Sequence, residues 1–128
     1  MLVNGRPTRS IWLGSDGETV EIIDQRKLPF EFSVVGLKTL DNTAIAIRNM
    51  LVRGAPLIGA TAAYGVALAM REDSSDAGLE NAYKTLYATR PTAVNLRWAL
   101  DDLMNLLKPM VSGIRQSAAY ARAKEICD

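Results

Sequence analysis

At 128 residues, 48% of them apolar, the chain is long enough for one domain with a real core. Fifteen Lys and Arg against fourteen Asp and Glu leave a net charge of +1, which supplies no basic field for nucleic acid. There is no histidine and a single cysteine, Cys127, which excludes His-dependent triads, most zinc sites and any internal disulfide. The first nine residues hold no apolar signal core and no segment reads as a membrane span, so the expectation is a cytoplasmic protein with no membrane partner.

Ser10 to Gly14 reads as a short strand, Asp16-Gly17 as a hairpin turn and Thr19 to Ile23 as a second, β-branched strand. Asp24 to Pro29 breaks the pattern. Phe30 to Val35 alternates and reads as a third strand. Such a small sheet is marginal by itself and must pack on the helices downstream. Leu40 to Val52 places Leu40, Ala44, Ile47 and Leu51 at helical spacing, with Asp41 or Asn42 near its start to cap or complement it and Arg53-Gly54 as its stop. The next helix then starts at once with Pro56, through a link of two or three residues.

Pro56 to Met70 carries no charged residue. Proline suits a first helical turn, and a helix apolar on every side must be buried on every side. Gly59 and Gly65, among many alanines, read as close-packing positions in this central helix. After the polar stretch Arg71 to Asp76, Ser75 or Asp76 caps a helix over 77–88 with Leu79, Ala82, Tyr83 and Leu86 on one face. A further helix follows Pro91, with Ala93, Leu96, Ala99, Leu100, Leu103 and Leu107 as its stripe. A last amphipathic pattern, Ile114 to Cys127, uses Ala118, Ala119, Ala121 and Ile126, and makes Cys127 a packing thiol. It runs to Asp128 with no stop signal, as in a truncated or partial product. The fold class expected is α+β, mostly α: a small antiparallel sheet over 1–36, packed on a bundle of about five helices over 37–128.

Two helix starts carry the chemistry. The first amides of a helix lack internal partners and bear the positive end of its dipole, so they attract anions. Arg53 and Gly54 stand before Pro56, and Arg90 stands directly before Pro91. Two such arginines, if they converge, hold one anion from both sides, each charge-assisted bond contributing about 1.5–3 kcal/mol. Asp24, Glu31, Asp101 and Asp102 read as solvated or helix-face charges. No residue is placed as an acid, base or nucleophile.

The stretches Arg-Gly-Ala-Pro-Leu-Ile-Gly-Ala-Thr-Ala-Ala-Tyr-Gly-Val-Ala-Leu-Ala (53–69) and Arg-Pro-Thr-Ala-Val-Asn-Leu-Arg-Trp-Ala (90–99) resemble the N-terminal motifs of the S-methyl-5-thioribose-1-phosphate isomerases. These belong to the family related to the regulatory subunits of initiation factor 2B. Ile11-Trp12, Ile23-Asp24-Gln25 and Leu28-Pro29 are similar as well. The resemblance implies that Arg53, Gly54, Ala55 and Arg90 contact a sugar phosphate. It implies an aldose–ketose isomerisation of methylthioribose 1-phosphate to methylthioribulose 1-phosphate in methionine salvage, with no metal or nicotinamide cofactor. It also implies a homodimer for the full-length protein, and a catalytic cysteine and aspartate in a C-terminal Rossmann-like domain beyond residue 128. On that basis the 128 residues alone are expected to be inactive. An initiation-factor-2B-like regulatory or assembly subunit and a ribose-1,5-bisphosphate isomerase are the alternative readings.

Overall fold

The computed structural model describes residues 2–3, 6–7, 11–24, 34–49, 51–52, 55–90 and 93–127, with side chains for 11–24, 34–49, 51–52, 57–90 and 93–126. In chain order the elements are β1 (Leu2–Val3), β2 (Arg6–Pro7), β3 (Ile11–Leu13), β4 (Val20–Ile23), β5 (Val34–Leu37), α1 (Leu40–Arg48), α2 (Ala55–Glu72), α3 (Asp76–Tyr87), α4 (Val94–Leu107) and α5 (Ser112–Cys127). Strands β1 and β2 form a minimal antiparallel pair of their own, an element the sequence did not announce. The other three form an antiparallel sheet in the order β3-β4-β5. The architecture is the expected one, a small sheet beside five helices.

Helix α2 is the axis of the molecule. It packs against α1, α3, α4 and α5 and also meets β3. Every residue from Ile58 to Met70 is buried, as an uncharged helix requires. Its glycines are there for contact. A Cβ on Gly65 would stand 2.8 Å from Thr43 Cγ2 and 3.0 Å from Leu86 Cδ1, so α1 and α3 close on α2 at this point. Buried Thr61 donates its hydroxyl to the Leu57 carbonyl at 2.7 Å, and among the described residues no buried side-chain nitrogen or oxygen lacks a partner.

The sheet is tied to the bundle by polar as well as apolar contacts. Val20, Ile22 and Ile23 of central strand β4 are buried. The β3–β4 turn swings Gly17 to φ 74°, where glycine carries no steric penalty. Next to it the Asp16 carboxylate accepts from the Glu18 and Thr19 amides at 2.9 and 2.8 Å and from the Thr19 hydroxyl at 2.6 Å. Tyr120 of α5 donates to the Glu18 carbonyl at 2.8 Å, and Arg71 of α2 reaches the Glu18 carboxylate at 3.0 Å.

Several expectations need correction. Helix α1 ends at Arg48, with Asn49 as its cap, and not at Val52. The Leu51 amide bonds the Ala46 carbonyl, one residue beyond helical spacing. The widened turn drops Leu51 and Val52 into the core. The link from α1 to α2 is therefore six residues long rather than two or three, and Gly54 is not the stop of α1. The cap of α1 is Thr39, which accepts the Asn42 amide at 3.0 Å; Asp41 lies in the first turn, where its charge complements the helix dipole rather than capping it. Strand β5 runs on to Leu37, beyond Val35, while Phe30 to Ser33 lie outside the described residues. Asp24 is 2% exposed and hence not a solvated charge; Glu31 lies outside the described residues. α5 buries Ala119 as expected, but Ala121 faces solvent and Ala123 is buried in its place. The Cys127 side chain lies outside the described ones.

Candidate functional site

The two arginine-led helix starts meet. A Cβ built on Gly59, one turn into α2, would lie 3.2 Å from the Asn95 carbonyl oxygen in the first turn of α4. No side chain of ordinary size separates the helices there, so both positive dipole ends lie at one corner of the molecule.

The sequence-derived residues fall around this corner to different extents. Ala55 is the first residue of α2, which places Pro56 in the first turn as its missing amide hydrogen requires. Arg53 and Gly54 lie outside the described residues, and the distance between the two guanidinium groups lies outside them too. Arg90 sits between α3 and α4, half-buried. Its carbonyl accepts the Ala93 amide at 3.0 Å, just ahead of α4, which starts at Val94. The helix thus begins three residues after the proline.

The ends of α4 are treated unequally. At its start, Ala93 is the cap residue and makes no side-chain hydrogen bond to the helix amides, whereas α1 and α3 are capped by Thr39 and Ser75. At its finish, the buried Arg115 of α5 donates from Nε to the Leu107 carbonyl at 3.0 Å and from Nη2 to the Lys108 carbonyl at 3.2 Å. The same guanidinium reaches the Ser74 carbonyl at 2.9 Å and the Asp76 carboxylate at 2.5 Å. Arg115 satisfies the negative end of α4, while the cap residue Ala93 supplies no side-chain bond to its positive end. Sequence reasoning missed Arg115; its only signal was a cation in the first turn of an otherwise apolar-faced helix.

Arg90, like the exposed Arg48, has no carboxylate partner among the described residues. Arg71, Arg97, Arg115 and Arg122 each pair with a carboxylate. The Arg90 side chain has no hydrogen bond or ion pair to any described residue. Asp101 and Asp102 are not free to act as acids or bases. Asp101 accepts from the Tyr83 hydroxyl at 2.7 Å, and this hydrogen bond pushes the Tyr83 hydroxyl above its ordinary range. Asp102 takes a two-pronged contact from Arg122 at 2.6 and 2.9 Å. That hydrogen bonding raises the Arg122 pKa further and straps α5 to α4. Among the described residues no group of three His, Cys, Asp or Glu side chains is placed to hold a metal ion, and no helix is long and apolar enough to cross a membrane.

Residues 51–127 match the model of the initiation factor 2 subunit family. Over all 128 residues the chain is 62% identical to a methylthioribose-1-phosphate isomerase of Paramagnetospirillum magneticum, whose length it covers to 35%. Among solved structures it is similar to the 5-methylthioribose 1-phosphate isomerase of Pyrococcus horikoshii, with a TM-score of 0.85 and 35% identity over 94% of this chain and 36% of that one. It is similar also to the delta subunit of initiation factor eIF-2B from A. fulgidus, with a TM-score of 0.83 and 34% identity over the same shares. The chain spans about a third of the length of these relatives.

Proposed function

The chain belongs to the initiation factor 2 subunit family, and on that premise we propose that it forms the phosphate-binding part of an aldose–ketose isomerase acting on 5-methylthioribose 1-phosphate. Arg90 and the uncapped start of α4 hold the phosphate from one side. Arg53, Gly54 and Ala55, at the start of α2, hold it from the other. The acid and base that move a hydrogen between the first two sugar carbons come from outside these 128 residues. The observation that carries the reading is the meeting of the two helix starts at Gly59 and Asn95, beside an arginine with no carboxylate partner among the described residues. The 62% identity over all 128 residues to a relative bearing the isomerase name favours the enzyme over an assembly module. The protein then works in methionine salvage, in the cytoplasm.

The test joins this chain to the remaining two-thirds of the Paramagnetospirillum isomerase and measures turnover. Arg90→Ala removes one or two charge-assisted bonds and is expected to lower kcat/KM by roughly 10- to 100-fold or more. Arg90→Lys keeps the charge without the fork and falls between. Undiminished turnover in both variants would overturn the role of Arg90, and no turnover in the joined parent would overturn the substrate.

A further inference from the structure

Away from the anion corner, Asp16-Gly17 lies exposed at the β3–β4 turn. An aspartate followed by glycine can cyclise on its own backbone. The Gly17 amide nitrogen attacks Asp16 Cγ, its proton and the carboxyl hydroxyl leave as water, and a five-membered succinimide closes. Water then adds back at either ring carbonyl. One product is the original link, and the other is an isoaspartyl link one carbon longer in the main chain. Glycine favours the attack because it has no side chain to shield its nitrogen, and a Cβ on Gly17 would meet nothing within 4 Å.

The folded turn opposes each part of this step. Asp16 Oδ1 accepts the Glu18 and Thr19 amides at 2.9 and 2.8 Å, and Oδ2 accepts the Thr19 hydroxyl at 2.6 Å, so the carboxylate is engaged with residues beyond Gly17. The Thr19 hydroxyl and the two amides also hold its pKa down to about 2, whereas loss of water needs the neutral carboxyl. The Gly17 amide is committed to the Gly14 carbonyl at 3.0 Å. Two side chains from distant helices then fasten the turn at Glu18. Tyr120 donates to its carbonyl at 2.8 Å, and Arg71 meets its carboxylate at 3.0 Å.

We propose that Asp16-Gly17 is a latent isoaspartate site, closed in the folded turn and opened when the turn detaches locally from Tyr120 and Arg71. The added main-chain carbon disrupts the bond from the Gly14 amide to the Thr19 carbonyl, 2.7 Å long, and with it the pairing of Leu13 with Val20. The modification is thus a chemical record of turn opening, and it weakens the tie between sheet and bundle once formed. It is independent of the phosphate reading.

The experiment is prolonged incubation of the 128-residue chain at physiological pH and temperature, beside a free peptide of residues 14–20. Isoaspartate is located at Asp16 by fragmentation of the tryptic peptide Ser10–Arg26. Asn4-Gly5, outside the described residues, falls in a different tryptic peptide and is not counted. The folded chain is expected to react at least about tenfold more slowly than the free peptide. Thr19→Val and Tyr120→Phe each remove one bond that holds the turn, and each is expected to raise the rate about three- to tenfold. Tyr83→Phe removes a comparable bond, to Asp101 at the contact of α3 with α4, and should leave the rate within about twofold of the parent. Equal rates in the folded chain and the free peptide would overturn the proposal. So would unchanged rates in both turn variants. Equal acceleration by Tyr83→Phe and Tyr120→Phe would also overturn it, by assigning the reaction to globally unfolded molecules.

Discussion

The Nη2 atom of Arg115 lies 2.5 Å from the carboxylate of Asp76, yet the arginine side chain is 3% exposed and the aspartate side chain 90%. The ion pair is therefore the lesser part of what Arg115 does. Its charge is compensated chiefly by three carbonyl oxygens, two of them at the end of α4 and one at Ser74 ahead of α3. Arg115→Met, similar in length, would leave those carbonyls buried and unpaired and is expected to destabilise the domain by about 2–4 kcal/mol. Asp76→Asn removes a solvated charge and is expected to change stability by less than about 1 kcal/mol. Urea unfolding of the two variants checks the ranking.

Gly65→Ala sets a helix-propensity gain of about 1 kcal/mol against a collision. The new Cβ would sit 2.8 Å from Thr43 Cγ2 and 3.0 Å from Leu86 Cδ1, both fully buried. Overpacking of that kind costs about 1–3 kcal/mol, so the variant is expected to be less stable. Gly65→Ala combined with Thr43→Ser, which removes the struck methyl, should recover part of the loss. A double-mutant cycle measures the coupling.

Burial pushes the Tyr120 hydroxyl up from 10.0 to about 12, with Arg71 opposing and Glu18 adding to the shift. Between those values the unfolded chain releases a proton that the folded chain keeps. The stability contributed is complete below about pH 10 and is lost as pH rises toward about 12. Tyr120→Phe also removes the hydrogen bond to Glu18 and should lower stability at neutral pH by about 1 kcal/mol. Its further decline between about pH 9 and about pH 11.5 should be shallower than that of the parent chain, as followed by urea melts.

Asp16 titrates the other way. Hydrogen bonds from the Thr19 side chain and from the Glu18 and Thr19 amides hold its pKa down from 3.8 to about 2. Its contribution is complete above pH 3.8 and is lost as pH falls through about 2. Asp16→Asn keeps one acceptor and should flatten that acid limb while fraying the β3–β4 turn. Amide exchange at Glu18 and Thr19 reports the fraying.

Most of the architecture is legible in the residues because the signals agree with one another. The uncharged run behind Pro56, the stripes of α3 and α4 and the Asp16-Gly17 turn each combine a period with a stop or start residue. The errors fall where the period continues and tertiary packing overrides it. Leu51 keeps helical spacing, but the core takes it and Val52 by way of a widened turn, so α1 is shorter than its pattern. Asp24 reads as solvated because a carboxylate usually is, and nothing in its neighbours announces that the end of β4 is covered. Of the site, Arg90 and the start of α2 are visible as local motifs. The contact between Gly59 and Asn95 that joins them is not, because it is set by the angle at which α2 and α4 cross. The role of Arg115 is likewise set by neighbours far away in the chain.

The all-round burial of α2 has a consequence for synthesis on the ribosome. Roughly fifty further residues must emerge before α4 and α5 are available to cover it, a delay of ~3–10 s at ordinary elongation rates. For that interval a greasy, slender segment stands bare, shielded at most by α1 and the sheet. Nascent chains halted once Met70 has just emerged should therefore recruit chaperones more strongly than chains halted once Cys127 has emerged.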